Sequence, residues 1–346
     1  MNDDIEKLLE RGLRDLWYGI IPSHAIGSTP VALRRLGEDL VLWRDGGGTV
    51  HVQADRCPHR GARLSLGRVV GDRLTCWYHG VQIDGSGTIA DVPALPGCPL
   101  IGRHGVRTYP ACEVAGVIFA YFGLDENEPP IPLEIPPELN DPQWSYFLCS
   151  AIWKTNYRYA IENVVDPMHG SYLHADSFTL AYGKKDDVFK IEERANGFIL
   201  ERTKQRDVNF DWVEFWEGGA HWQRLDIPYP KSAGPGGPFR ILGNITPIDE
   251  HASQIFFWRL RKVDGWERDL WRFLYRDRLE ERHWNVLEQD RLISETMPPD
   301  ARYHEMLYQH DVGITRLRKM MRARAKAQLE KIRRLSAERK HVSALN

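Results

Sequence analysis

Residues 57–80 read CPHRGARLSLGRVVGDRLTCWYHG, opening on Cys57-Pro-His59-Arg-Gly61 and closing on Cys76-Trp-Tyr-His79-Gly80. Each end offers one thiolate and one imidazole ahead of a glycine. Four such donors suit either a closed Cys2His2 zinc site or a [2Fe–2S] cluster with cysteines on one iron and histidines on the other. Zinc fingers usually give both cysteines first and both histidines later. Here each loop supplies one of each, which suits a two-iron cluster clamped from both sides. Pro58 stiffens the first loop, and Gly61 and Gly80 leave room for backbone N–H groups beside the sulfides.

The flanking sequence is β-rich. Val31-Ala-Leu33, Asp39-Leu-Val-Leu-Trp43 and Thr49-Val-His-Val-Gln53 are apolar runs parted by turn material such as Asp45-Gly-Gly-Gly48. Further short strands are expected near Leu74, Gln82-Ile83, Arg107–Tyr109 and Val117–Phe122. A helix is expected over residues 4–17, where Ile5, Leu8, Leu9, Leu13 and Leu16 recur at helical spacing. A proline-rich connector, residues 126–138, divides a small β domain at 1–130 from a second domain at 131–346.

The second domain carries Asn163-Val-Val-Asp166-Pro-Met-His169-Gly-Ser-Tyr-Leu-His174. Spacings of three put Asn163, Asp166 and His169 on one helix face. His174 falls off that face, and Gly170 is a place for the helix to loosen and bring it round. Two neutral imidazoles and a carboxylate from elsewhere would make the facial triad of a non-heme Fe(II) oxygenase. The plainer alternative is a set of capping and surface histidines on an amphipathic helix. Asp166 suits accepting the second N–H of His169, three residues on.

The two motifs together make the chain resemble the oxygenase component of a Rieske non-heme iron oxygenase, over nearly its whole length. The resemblance implies an α+β architecture. An all-β Rieske [2Fe–2S] domain holds its cluster on Cys57, His59, Cys76 and His79. A catalytic domain follows, in which a curved antiparallel sheet wraps helices around a mononuclear iron. It also implies that Asp166 bridges to the Rieske histidine, His79, of a neighbouring subunit in a homotrimer. One departure is visible: the family usually has Pro-Tyr-His-Gly-Trp after the second cysteine, and this chain has Trp77-Tyr-His79-Gly-Val81. No ligand is lost.

The third iron ligand is sought on a long helical pattern, residues 266–296, with Leu270, Phe273, Leu274, Leu287 and Ile293 as apolar positions. Asp290 has Val286, Leu287 and Ile293 on its side and points into the apolar face, where a lone carboxylate needs a cation. Glu288 and Glu295 lie away from that face and read as solvated. The family's Glu-x-Asp context matches Glu288-Gln-Asp290. The implied site is therefore Fe2+ on His169, His174 and Asp290, with Asn163 either orienting the iron shell or packing as a simple amide.

By resemblance, NAD(P)H electrons arrive through a separate reductase or ferredoxin, since no Gly-rich dinucleotide fingerprint is present. Rieske potentials of about −150 to +300 mV make the cluster a good one-electron acceptor. With O2 the protein would hydroxylate a small aromatic substrate by dioxygenation or monooxygenation, or act as an O- or N-demethylase. The rivals are a Rieske electron carrier without oxygenase chemistry and a zinc-stabilised binding protein.

Composition narrows the field. The 346 residues carry 46 Lys and Arg against 48 Asp and Glu, a net charge of −2 that argues against a nucleic-acid binder. No apolar run suits a membrane span, the acidic N-terminus lacks a signal-peptide layout, and a cytoplasmic location is expected. Cys98, Cys112 and Cys149 read as free thiols. Phe210, Trp212, Phe215, Trp216 and Trp222 are pocket or core candidates, and the Gly/Pro-rich loop at 228–238 is a candidate cover for the pocket. The basic, alanine-rich C-terminal segment is expected to be a solvated helix or a subunit contact.

Overall fold

Short apolar runs broken by glycine turns fold residues Arg14–Pro132 into three small antiparallel sheets in the computed structural model, which describes residues 2–177, 180–229 and 234–345. Strands β1 (Trp17–Pro22), β10 (Ala111–Val114) and β11 (Val117–Tyr121) form one sheet, in the order β1-β11-β10. A second joins β2 (Val31–Arg35), β3 (Glu38–Arg44), β4 (Val50–Ala54) and β9 (Thr108–Tyr109). The third is a meander of β5 (Arg68–Val70), β6 (Arg73–Thr75), β7 (Gln82–Asp84) and β8 (Ile89–Asp91). Val70 pairs with Arg73 across the Gly71-Asp72 turn, where Gly71 has a φ of 62°, as two-residue hairpins demand. Cys57 follows β4 and Cys76 follows β6. Both cysteines pack into one apolar core with Val41, Trp43, Leu64, Leu74 and Ile83.

The other unit comprises Met1–Leu13 and Leu133–Asn346. Its seven-stranded antiparallel sheet has the order β12-β18-β17-β16-β15-β14-β13. From β13 (Phe189–Arg194) the chain passes neighbour to neighbour through β14 (Gly197–Arg202), β15 (Trp212–Glu217), β16 (His221–Ile227), β17 (Phe239–Pro247) and β18 (Ser253–Lys262). Strand β12 (Trp144–Trp153) adds to the free side of β18 in continuous register from Trp144–Lys262 to Trp153–Ser253. β18 is buried along almost its whole length, because β12 and β17 cover its edges while helices pack nearby. Of the loop at 228–238, residues 230–233 lie outside the described residues.

Three helical expectations are corrected. The first helix, α1, spans only Asn2–Arg11, because Gly12 takes a φ of 106° and ends it. It also belongs with the second unit rather than the β domain: Glu6 pairs with Arg158 at 2.9 Å, and the Glu10 carbonyl accepts from Asn156 at 3.0 Å. The boundary between units falls at 132/133, inside the proline-rich connector.

The motif helix is split into α2 (Tyr157–Val164) and α3 (Gly170–Leu173). Pro167 disfavours helical backbone at Asp166, so the chain turns there and the single polar stripe does not form. The late helix is likewise interrupted. A π-helical turn at Tyr275–Leu279 separates α4 (Gly265–Leu274) from α5 (Glu280–Glu295). The buried face also differs from the expected one: Phe273 is 65% exposed and Ile293 41%, while Trp271 and Tyr275 are fully buried.

The C-terminal helix, α6, runs Val312–Leu345 and is docked on its own unit, where Leu317, Met321 and Ala325 are buried at i, i+4 and i+8. Its basic residues meet acids of the same unit: Arg316 with Glu193, Arg318 with Glu162, Arg322 with Glu6 and Arg324 with Glu217. Glu162 is buried between Arg318 at 2.8 Å and Arg302 at 2.7 Å. Leu317→Ala empties a fully buried position and is expected to destabilise the protein by about 2–5 kcal/mol, read as a lower urea midpoint. An unchanged midpoint would show that this helix does not rest on the unit in solution.

Candidate active site

The two cysteine loops are built alike. Cys57 N–H donates to the Ala62 carbonyl at 2.8 Å and Cys76 N–H to the Val81 carbonyl at 2.8 Å. Gly61 N–H returns to the Cys57 carbonyl at 2.9 Å and Gly80 N–H to the Cys76 carbonyl at 3.0 Å. Both glycines sit in the left-handed region, with φ of 76° and 75°, which is why glycine occupies each place. Their N–H groups close the loops rather than approaching sulfur. The N–H groups of His59 and Arg60 instead point at the Cys57 sulfur.

Like donors are paired across the loops. The Cys57 and Cys76 thiols interact, and both cysteines are buried. The His59 and His79 rings are exposed, with centroids 4.6 Å apart. Burial, with the neighbouring Cys76 thiol, pushes the Cys57 thiol up to about 11. Two buried thiols in contact, with two imidazoles beside them, are the donor set that a cluster's two irons satisfy, thiolate on one and imidazole on the other.

In the second unit, His169, His174 and Asp290 each offer one atom to a common point, all within 4.8 Å of one another. The turn at Pro167 places His169 at the start of α3 and His174 just past its end, so a short helix spreads two imidazoles around one centre. Asp290 comes from the buried face of α5. Its Oδ1 lies 3.4 Å from His169 Nε2 and 3.2 Å from His174 Nε2. Burial alone would raise the Asp290 pKa, but His169 and then His174, in their protonated forms, outweigh it and hold the carboxyl at about 2.

His169 Nδ1 bonds the backbone carbonyl of Asp166. A carbonyl only accepts, so the ring's proton is committed to Nδ1. In the neutral form Nε2 then aims a lone pair, not a proton, at the Asp290 carboxylate. A cation between them satisfies both groups, and two imidazoles with one carboxylate fit Fe(II). The expected carboxylate contact is thus made by the backbone of Asp166. Its side chain accepts from Met168 N–H at 2.9 Å instead.

Asn163 reaches the same centre, donating to Asp290 Oδ1 at 3.3 Å. His174 Nδ1 lies 2.8 Å from Gln289 Oε1, a partner that the helical pattern did not single out. Its position beside Asp290 in Glu288-Gln-Asp290 was the available signal. Glu288 is exposed and bound to Arg291, whereas Glu295 is half-buried and accepts from Lys154 N–H at 2.8 Å.

These residues stand at the wall of a cavity of about 680 Å3 between β16–β18 and α5. Its sides are mainly apolar, including Leu225, Ile227, Ile241, Phe257 and Leu287, with the Phe210 ring tilted 59° to that of His169 and centroids 5.6 Å apart. Of the aromatic candidates, only Phe210 lines this cavity; Phe215 and Trp222 are buried in the sheet. A polar patch faces it too, where His283 Nε2 lies 2.9 Å from the Tyr229 hydroxyl beside Arg259 and Arg282. Cys98 and Cys149 are buried free thiols and Cys112 is half-buried.

The chain is similar to known proteins. The sequence matches the Rieske [2Fe-2S] domain family over residues 16–110 and the vanillate O-demethylase oxygenase C-terminal domain family over residues 153–327, half of the chain. It is 36% identical over 170 residues to the terminal oxygenase component of carbazole 1,9a-dioxygenase from Metapseudomonas resinovorans, 48% of this chain and 44% of that one. It is 35% identical over 245 residues to 4beta-methylsterol monooxygenase from Methylococcus capsulatus, 65% of this chain and 62% of the relative. It is 32% identical over 242 residues, 66% of this chain, to the chloroplastic protein TIC 55 of Arabidopsis thaliana, of which 42% is covered. The chain spans about half the length of the curated relatives it matches.

Among solved structures, the terminal oxygenase of carbazole 1,9a-dioxygenase from Nocardioides aromaticivorans superposes with a TM-score of 0.76 at 22% identity, covering 94% of this chain and 97% of that one. The reduced complex between oxygenase and ferredoxin in carbazole 1,9a-dioxygenase gives a TM-score of 0.73 at 23% identity, covering 93% and 94%. These likenesses establish the fold. Among the described residues, no helix is long and apolar enough to cross a membrane.

The cavity wall makes one pH prediction. Burial, then the charges of Arg259 and Arg282, hold the His283 pKa well below its ordinary value of 6.5. The folded protein keeps this ring neutral, while the unfolded chain protonates it below about pH 6.5, so stability falls as pH drops under that value. Wild-type protein should therefore lose its stability margin over His283→Phe between pH 7.5 and 5, at up to about 1.4 kcal/mol per pH unit. Urea midpoints across that range test it; a constant margin would mean the ring is not held neutral.

Proposed function

Because the chain belongs to the Rieske non-heme iron oxygenase family, joining a Rieske [2Fe-2S] domain to a vanillate O-demethylase oxygenase C-terminal domain, we propose that it is the terminal oxygenase of a multicomponent system. It takes electrons singly from a separate ferredoxin or reductase and uses O2 to hydroxylate a small, largely apolar aromatic substrate. The observation that carries this reading is the convergence of His169, His174 and Asp290 on the wall of an apolar cavity. The electron-carrier and zinc-protein readings give that convergence no purpose.

In this reading Cys57, His59, Cys76 and His79 hold the cluster, and the exposure of both histidine rings gives electrons a short way in and out. His169, His174 and Asp290 hold mononuclear iron, which supplies the one-electron chemistry with O2 that amino-acid side chains lack. Asn163 keeps Asp290 oriented through its hydrogen bond to Oδ1. Phe210, Phe257 and the aliphatic walls exclude water and hold an apolar ring beside the ligands. The match to the vanillate O-demethylase domain favours a second outcome, demethylation, in which hydroxylation of an O- or N-methyl carbon is followed by loss of formaldehyde. Asp166 would link electron flow between subunits of a homotrimer, in contact with His79 of a neighbouring copy.

Asp290→Ala should lower iron from three to two per protomer, leave the cluster's visible spectrum intact and abolish 18O2 incorporation in turnover with a surrogate reductase. Undiminished turnover would favour another ligand. Asp166→Asn should retain all three irons yet slow single-turnover transfer from the reduced cluster by at least about tenfold. Unchanged transfer would remove the bridging role.

A further inference from the structure

His174 is 1% exposed, so water cannot reach its outer nitrogen. Among the described residues, the hydrogen-bond partner at Nδ1 is Gln289 Oε1, at 2.8 Å. The other ring nitrogen, Nε2, faces Asp290 Oδ1 at 3.2 Å. A neutral imidazole carries one proton and one lone pair, so whatever occupies Nδ1 decides what Nε2 presents. With a carbonyl oxygen at Nδ1 the proton is drawn there, and Nε2 aims its lone pair at the common point.

His169 reaches the same tautomer through a backbone carbonyl, three residues away on its own turn. Among the described residues, His174 has no such local partner. Its partner comes from α5, on the residue that immediately precedes Asp290. One helix therefore supplies both a ligand and the group that orients a second ligand.

We infer that Gln289 is a positioning residue for the mononuclear centre, its side-chain carbonyl holding His174 as the Nδ1–H tautomer so that Nε2 is offered to the ion. This rests on the metal-site reading above. A glutamine amide can present either its oxygen or its NH2, and only the oxygen supports a metal-bound His174. Glutamate presents oxygen alone. Methionine fills a similar volume and accepts poorly.

The test uses Co2+ as probe on full-length protein stripped of its mononuclear iron, with the cluster spectrum verifying each variant. Gln289→Met should weaken Co2+ binding by calorimetry by about 10–100-fold. Gln289→Glu should bind within about threefold of wild type or more tightly, since it keeps the acceptor. In the proton NMR spectrum of the Co2+ form, the shifted His174 N–H signal should stand at a similar position in wild type and Gln289→Glu and move in Gln289→Met, which lacks the acceptor. A role in packing alone reverses the order, because a carboxylate placed in a buried site without a proton to accept is worse than methionine. Equal affinities in wild type and Gln289→Met, or a His174 N–H signal unmoved in Gln289→Met, would overturn this inference alone. Failure of wild type to bind Co2+ would instead overturn the metal-site reading beneath it.

Discussion

A carboxylate in an apolar wall stays ionised only where donors or a cation meet it, and three polar groups meet Asp290 at one oxygen. His169 and His174 face its Oδ1, and Asn163 donates to the same atom. Each of those three groups is fixed by a different piece of backbone: α2 carries Asn163, the turn at Pro167 sets His169, and the end of α3 sets His174. Asp290 itself depends on the rotation of α5, which the π-helical turn at Tyr275–Leu279 helps to set. The seven-stranded sheet supplies the platform, since α2 packs on β17 and β18 as well as on α5. The cavity follows from the same packing, because the apolar face of β16–β18 is left uncovered where the ligands gather.

The β unit solves a separate problem with repetition. Two loops of matching hydrogen-bond pattern bury a cysteine each and expose a histidine each. The buried thiols sit in a core with Trp43, Leu64 and Ile83, which shields the sulfur side from water. Hydrogen bonds to sulfur from the His59 and Arg60 amides favour the thiolate against that burial. The exposed imidazoles leave the other side open to exchange electrons. Substituting Trp77 for the usual proline leaves this pattern undisturbed, and the indole stays 73% exposed.

Much of this was legible in the residues. The short strands of the β unit fall where apolar runs alternate with glycine turns, because such signals are local. Cys57, His59, Cys76 and His79 announce themselves by type and spacing. The helix stops were less visible. Gly12 ends α1 early, Pro167 splits the motif helix and a π turn interrupts the late helix, in which Phe273 and Ile293 face solvent instead of the core. The basic charge of α6 suggested a solvated surface, yet its arginines find acids on α1, α2 and β13 that are remote in sequence.

Taken alone, the chain's order of residues determined the donor types, the two motifs and the β character of the first unit, since each depends on neighbours within a few positions. It also marked Asp290 as a carboxylate on an apolar face. Only the tertiary structure decided that Asp166 meets His169 through its backbone, that Gln289 stands against His174, and that α1 and α6 pack in the second unit. All but the first of those outcomes depend on contacts between residues more than a hundred positions apart, such as His174 with Gln289 or Arg322 with Glu6. Their distances and angles arise from how helices settle on a sheet, which no local pattern encodes.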